Sequence, residues 1–365
     1  MPGTVGLTLA VAKREMRLAD CRVEVRRRAS SLLQVNRVLQ QNPRRSRKLA
    51  VGTKVILVVG NGPKTETLPS VGDRLARRLP PYIAYDAPTG GIWLMKPDGT
   101  DAHQIAPLGA AFPVWSPDAT EILYTAPAAQ NNDGNYAYIM NADGSDPRPI
   151  MPAGAYYSGD LFVGGDFDFR WSPDGNRVVF THSMGPFDER EVEIANADGS
   201  DVHPVTPSAL GAGNASYSPD GRWIVVDTDT GAMPTHGVAA WRRKQGLYVI
   251  RSDGGEIAQI TFGGGVEDPS WSPDGKRIVY GCLLDKYGQA HAICELSGRR
   301  SRQRILYQNK NEEFLRPTWN ANGTKILVTI EQPDFGPAQI ALMFPSGGEP
   351  IEIGVPLLPD TYPDW

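Results

Sequence analysis

The chain has 365 residues, with 39 Gly, 31 Pro, 3 Cys and a net charge of -4. That length leaves room for two or three domains with a sizeable core. Three cysteines exclude a disulfide-dense scaffold and fall short of the four ligands of a closed zinc site. The small net charge hides a division, because residues 1–80 carry 17 Lys+Arg against 5 Asp+Glu, net +12, and residues 81–365 carry 20 against 36, net -16.

Near the start, Val5 to Ala12 is apolar but too short to span a bilayer, and no basic region or cleavage site frames it as a signal peptide. No transmembrane segment is expected, and taken literally the chain is soluble and unexported. From Thr8 to Ala19, the residues Leu9, Ala12, Met16 and Ala19 share one helical face, with Thr8 placed as N-cap. Strands are expected at 22–27, 35–40 and 54–59, which makes residues 1–62 a small αβββ domain. Two cationic runs, Arg26, Arg27 and Arg28, then Arg44, Arg45, Arg47 and Lys48, are expected either to contact an anionic polymer or to form a solvated basic face. Residues 1–80 contain no Phe, Tyr or Trp to stack on bases, so specific nucleic-acid reading is not expected. Gly60-Asn61-Gly62 lacks the third glycine and the following helix of a nucleotide loop. Residues 63–80, with Pro, Gly and Thr, read as a linker.

The remainder is repetitive. Trp171-Ser-Pro-Asp-Gly175 recurs as Tyr217-Ser-Pro-Asp-Gly221 and Trp271-Ser-Pro-Asp-Gly275, with looser copies at Trp115-Ser-Pro-Asp118 and Trp319-Asn-Ala-Asn-Gly323, and a last anchor at Trp365. Anchor spacings of 56, 46, 54, 48 and 46 residues suit propeller blades whose outer loops vary in length. After each anchor come a short apolar strand, a variable loop, a second strand and a turn such as Asn141-Ala-Asp-Gly144 or Asn196-Ala-Asp-Gly199, where Asp-Gly supplies a positive φ. A last strand with Pro147, Pro149 or Pro204 suits an outermost edge, because proline cannot donate to a ladder. Each unit is expected to be a four-stranded antiparallel blade. Residues 82–106 supply three strands of a further unit without its anchor strand, and Pro363 to Trp365 supply an anchor alone. Joining them predicts a mainly β fold: a six-bladed β-propeller over residues 81–365, closed by the C-terminal strand.

These repeats, Trp-Ser-Pro-Asp-Gly with downstream Asn-Ala-Asp-Gly-Ser-Asp, resemble the WD40-like propeller repeat of TolB-type proteins. The resemblance implies a protein-interaction platform outside the cytoplasm, although the α/β domain that precedes the propeller in TolB is lacking. Val5-Gly-Leu-Thr-Leu-Ala10, Val38-Leu-Gln-Gln-Asn-Pro43 and Gly52-Thr-Lys-Val55 resemble a PASTA domain over residues 3–62. That resemblance implies recognition of uncross-linked peptidoglycan in some members and a cell-envelope location.

Residues just before the anchors would line one end of the channel in the propeller family's geometry: Asp166, Asp168, Glu267, Asp268, Arg316 and Asp364. Such an acidic mouth is expected either to hold a basic peptide or to be ordinary solvated lining with ladder caps. Symmetric pairing about residue 288 would place Cys282 opposite Cys294, as a cross-strand disulfide or as two buried thiols. The Asp-Gly-Ser-Asp turns offer too few oxygens for calcium and read as hairpins. No Gly-x-Ser-x-Gly elbow and no His-Glu-x-x-His occurs, and no cofactor is expected. The expected function is noncatalytic: a cell-envelope binding protein contacting peptidoglycan through its basic module and a protein or peptide through its propeller. The alternative is a hydrolytic enzyme with a carboxylate or metal site at the channel mouth, assembled from several blades and so invisible to local motifs.

Overall fold

In a computed structural model, the described residues are 4–5, 9–19, 21–28, 38–42, 53–60, 80–87, 89–127, 135–153, 156–158, 161–183, 190–228, 245–261, 265–284, 291–297, 302–309, 312–331, 338–357 and 363–365. The chain divides into two compact units, Met1–Arg74 and Leu75–Trp365. The expected linker lies outside the described residues except for Pro80. Among the described residues no helix is long and apolar enough to cross a membrane.

The first unit contains α1 (Leu9–Leu18), β1 (Arg22–Arg28), β2 (Val38–Asn42) and β3 (Lys54–Gly60). Of the second expected strand, 35–40, the described part 38–40 lies in β2, and residues 35–37 lie outside the described residues. Sheet order is β1-β3-β2, with β1 parallel and β2 antiparallel to β3. β3 takes the centre because it is the most apolar of the three strands. Its Val55, Leu57 and Val59 are fully buried in one cluster with Ala12 and Met16 of α1. Cys21, half-buried, packs against the same cluster and is a free thiol.

The second unit contains six antiparallel sheets among its described residues. The first is formed by Ile83–Asp86, Ile92–Met95 and His103–Gln104. The innermost strands of the other five are Ala111–Trp115, Leu161–Trp171, Gly213–Tyr217, Val266–Trp271 and Glu313–Trp319, each ending on its anchor. Pro149 and Pro204 lie on outermost strands, where a missing N–H costs no ladder bond. The third sheet departs from the four-strand expectation: the 11-residue strand Leu161–Trp171 extends beyond its ladder with Arg177–Ser183, and its start pairs with a fifth strand, Tyr156–Ser158, at the sheet's edge.

Apolar clusters straddle neighbouring sheets. Val114 and Ile139 of the second sheet pack with Trp171 and Phe180 of the third, and Ile83, Tyr85 and Met95 of the first pack with Leu327 and Ile340 of the sixth. The first and sixth sheets are thus neighbours. The C-terminus completes the first sheet through a single bridge, in which Ala84 and Asp364 exchange two backbone hydrogen bonds of 2.9 Å.

The repeated turns owe their sequence to hydrogen bonding. Ser172 Oγ donates to Asp174 at 2.6 Å and accepts the N–H of Arg177 at 2.9 Å, while Gly175 takes φ 71°. In the Asp-Gly-Ser-Asp turns, the Asp143 and Asp198 carboxylates accept from Ser145 and Ser200, so they serve the turn itself. Gly199 is needed for space as well as for φ, since a Cβ there would lie 1.9 Å from the carbonyl oxygen of Ile150 on the preceding sheet. The second sheet breaks the pattern with Ala119 at φ 56°, where the equivalent residues are Gly175, Gly221, Gly275 and Gly323. A left-handed alanine is strained against its Cβ, so Ala119→Gly is expected to raise stability by about 1 kcal/mol in urea denaturation.

Cys282 and Cys294 are joined as a disulfide, Cα atoms 5.9 Å apart. The register differs from pairing about residue 288: Cys282 faces Ala292 and Cys294 faces Tyr280, so the cysteines are diagonal neighbours on one face. Directly opposed residues of an antiparallel pair share a face, and so do residues two apart on one strand.

Candidate functional site

The inner strands share a distortion three residues before each anchor. Ladder register shifts between Ala111 and Val114, Phe167 and Arg170, Gly213 and Ser216, Glu267 and Ser270, and Leu315 and Thr318. Within each shift one non-glycine residue is left-handed: Phe112 at φ 58°, Asp168 at 56°, Asn214 at 49°, Asp268 at 51° and Arg316 at 51°. These are β-bulges, which re-aim side chains and withdraw a residue from the ladder. Three of the following residues are proline (Pro113, Pro269 and Pro317), which suits a position released from ladder pairing.

The N–H groups released by the bulges are taken up by the preceding sheet. Asn214 N–H donates to Thr181 Oγ1 at 3.2 Å, Asp268 N–H to Asp227 Oδ2 at 3.0 Å, and Arg316 N–H to Asp268 Oδ2 at 3.2 Å. Asn214 Nδ2 also donates to Asp227 Oδ2 at 2.8 Å, and Arg316 Nη1 donates to Asp168 Oδ1 at 2.9 Å. The result is a hydrogen-bonded chain running from Thr181 through Asn214, Asp227, Asp268 and Arg316 to Asp168. It lies at a cavity of about 140 Å³ between the inner strands, walled by Asp168, Arg170, Asn214, Asp268, Arg316 and the anchor aromatics.

Asp168 and Asp227 are buried, and Asp268 and Arg316 are half-buried. Burial, with the Asp268 carboxylate beside it, pushes the Asp227 carboxyl well above the usual range. Burial likewise raises Asp268, with Asp168 adding to the rise and Arg316 opposing it. Burial alone would lower the Arg316 guanidinium, but Asp168 and Asp268 more than offset this and hold it above its ordinary value. A carboxyl raised in the folded state contributes stability below its unfolded pKa, near 4, and loses it as the pH climbs toward the raised value. Asp227→Asn keeps an oxygen for Asn214 and Asp268. It is therefore expected to gain about 1 kcal/mol at neutral pH and to flatten the decline of stability above about pH 4, read from urea titrations across that range.

Of the six residues expected at the channel end, Asp168, Asp268, Arg316 and Asp364 line this cavity. Asp364 serves closure, since its Oδ2 accepts the Trp115 N–H at 2.8 Å. Glu267 is half-buried and outside the lining, and Asp166 pairs through its backbone with His182 while its side chain lies outside the described residues. Asn214 and Asp227 join the cluster without having been expected. The repeated position three before the anchor carries the signal for Asn214, whereas Asp227 has none, because it comes from the second strand of its sheet. Among the described residues no three His, Cys, Asp or Glu side chains group so as to hold a metal ion.

Of the basic residues in the first unit, Arg26 donates to Glu24 at 2.9 Å, and Lys54 pairs with the same carboxylate. Lys54 and Arg26 hold the Glu24 carboxyl below its ordinary value. Arg27 and Arg28 belong to β1, with side chains outside the described residues, and Arg44, Arg45, Arg47 and Lys48 lie wholly outside them. α1 adds Lys13, Arg14 and Arg17 around a surface depression.

The chain is 26% identical over 211 residues to an uncharacterized peptidase, YuxL, of Bacillus subtilis, covering 56% of this chain and 27% of that protein. It thus spans about a quarter of that relative's length. The fold is similar to TolB from Acinetobacter baumannii, with TM-score 0.59 and 17% identity over 78% of this chain and 66% of that one. It is also similar to a chain of a nidogen–laminin complex, with TM-score 0.55 and 11% identity over 77% of this chain and 97% of that one. A family model of the TolB beta propeller domain (PD40) matches residues 160–343. With half its length matched and its sheets repeating the same anchored pattern, the chain belongs to the TolB beta propeller domain family.

Proposed function

We propose that the chain is a noncatalytic cell-envelope binding protein. In this reading a six-bladed propeller holds a basic segment of a partner protein at its channel mouth, and a PASTA-like module contacts peptidoglycan or another anionic wall polymer. The observation that carries it is the Asp168–Arg316 ion pair, with the Asp268 carboxylate also acting on the guanidinium, on the wall of a cavity of about 140 Å³. Carboxylates converging in a concave, poorly solvated mouth attract and orient cationic side chains. The Trp and Pro residues of the wall offer apolar surface to the stem of a lysine or arginine. Six sheets joined by the Ala84–Asp364 bridge support the count of six blades. The net charge of +12 over residues 1–80 supports contact of this module with an anionic polymer.

The match to a Bacillus subtilis peptidase favours a second reading, a hydrolytic enzyme with a carboxylate or metal site at the channel mouth. Asp227 and Asp268 each accept a backbone N–H from the next sheet, a structural duty that weighs toward binding. Calorimetric titration of the full chain with an arginine- and lysine-rich peptide is expected to show saturable binding that Asp268→Asn weakens about tenfold. Absence of binding by the wild-type chain would sink the reading, and peptide cleavage abolished by Asp268→Asn would establish the second one. Cosedimentation with peptidoglycan, lost when Arg44, Arg45 and Arg47 become Glu, is the expected result for the basic module.

A further inference from the structure

Arg316 reaches further than any neighbour-to-neighbour contact in the channel requires. It belongs to the sixth sheet, yet its guanidinium bonds to Asp168 of the third, 148 residues earlier. The inner strands follow one another from second to sixth, and the first sheet packs on both the second and the sixth, so the third and sixth stand on opposite sides. The ion pair therefore bars the channel. Both side chains are largely out of water, at 15% and 9% exposure, and both residues are left-handed.

Stability does not account for this arrangement. A buried ion pair loses so much hydration that apolar residues of the same shape often serve as well or better. Asp268 also acts on the Arg316 guanidinium beside Asp168, and Arg170 acts on Asp268.

We infer that Arg316 is an internal stand-in for the ligand: its guanidinium occupies the seat that an arginine side chain of the partner segment takes, and binding requires Arg316 to leave Asp168. This rests on the channel mouth being the binding site proposed above and adds how that site is regulated. The resting pair keeps the mouth closed to weak cations. A partner gains entry by matching the guanidinium contact and adding backbone contacts to the wall, so it selects the open state by its differential affinity.

The test uses methylguanidinium as probe on the full chain, at ionic strength held constant with sodium chloride. Arg316→Ala is expected to bind the probe at least about tenfold more tightly than wild type by calorimetry and to recover thermal stability in its presence. Arg316→Ala/Asp168→Asn is expected to lose both effects. A folded Arg316→Ala that takes up the probe no better than wild type overturns the inference, as does equal uptake after Asp168→Asn. Should Arg316→Ala not fold, Arg316→Lys supplies the reading, because its ammonium lacks the planar fork and holds Asp168 less firmly. The basic peptide is then expected to bind Arg316→Lys more tightly than wild type, and equal or weaker binding overturns the inference. Wild-type peptide binding unaffected by these variants would remove the stand-in and leave the proposed function intact. Probe uptake by Arg316→Ala without any peptide binding would remove the proposed function and leave the guanidinium seat.

Discussion

Trp365→Ala is expected to lower the unfolding free energy by about 3 kcal/mol, the largest effect of any single substitution near the C-terminus. Trp365 packs against Ile83, Tyr85 and Met95 of the first sheet and Leu327, Ile340 and Leu342 of the sixth. Its neighbour Asp364 bridges Ala84 through two backbone bonds and holds the Trp115 N–H of the second sheet. Two residues therefore tie three sheets together, and the loss is not confined to one cavity. Without them Ile83–Asp86 becomes an unpaired inner edge, the kind of edge that invites aggregation. Urea denaturation is expected to show a lower midpoint with an unchanged slope, since the same surface is still exposed on unfolding. A loss of less than about 1 kcal/mol would mean that closure is carried by sheet packing alone.

Asp168→Ala is expected to cost about 3 kcal/mol, because it leaves the Arg316 guanidinium buried without its carboxylate. The double variant Asp168→Ala/Arg316→Met should recover much of that loss, as an apolar side chain needs no partner in the same space. The double-mutant cycle is expected to show a coupling of about 2 kcal/mol, little changed by salt because the pair is shielded from mobile ions. Additive losses would show that the two side chains do not depend on each other for stability.

The channel pair shows where sequence reasoning stops. Trp171, Tyr217, Trp271 and Trp319 announce their sheets because each sits beside a hairpin whose hydrogen bonds are local. Ser172, Asp174 and Arg177 meet within six residues. The position three before each anchor was equally open to inspection, and it brought Asp168, Asp268 and Arg316 into view. Asn214 is marked only by its place three before the anchor, because an amide carries no charge. Asp227 ends a second strand and joins the cluster through Asn214 Nδ2 and the Asp268 N–H, contacts that no local pattern announces. In the first unit, the strands were visible as apolar runs, but the parallel pairing of β1 with β3 was not, because strand order depends on which strand is apolar enough to take the centre. The cysteines were rightly placed on adjacent strands, yet their register came from the ladder and not from symmetry about a loop.

By itself the sequence determined a basic module followed by an acidic repeat array, the anchors, the turns and the inside-to-outside order of strands. All of these follow from contacts between residues close together in the chain. Only the tertiary structure decided which residues face one another across the channel. That depends on closing the ring at Ala84 and Asp364 and on the bulges that bring Asp168, Asn214, Asp268 and Arg316 to the cavity wall. Asp168 and Arg316 are distant in sequence, and no local pattern records that a guanidinium from one side of the ring reaches a carboxylate on the other.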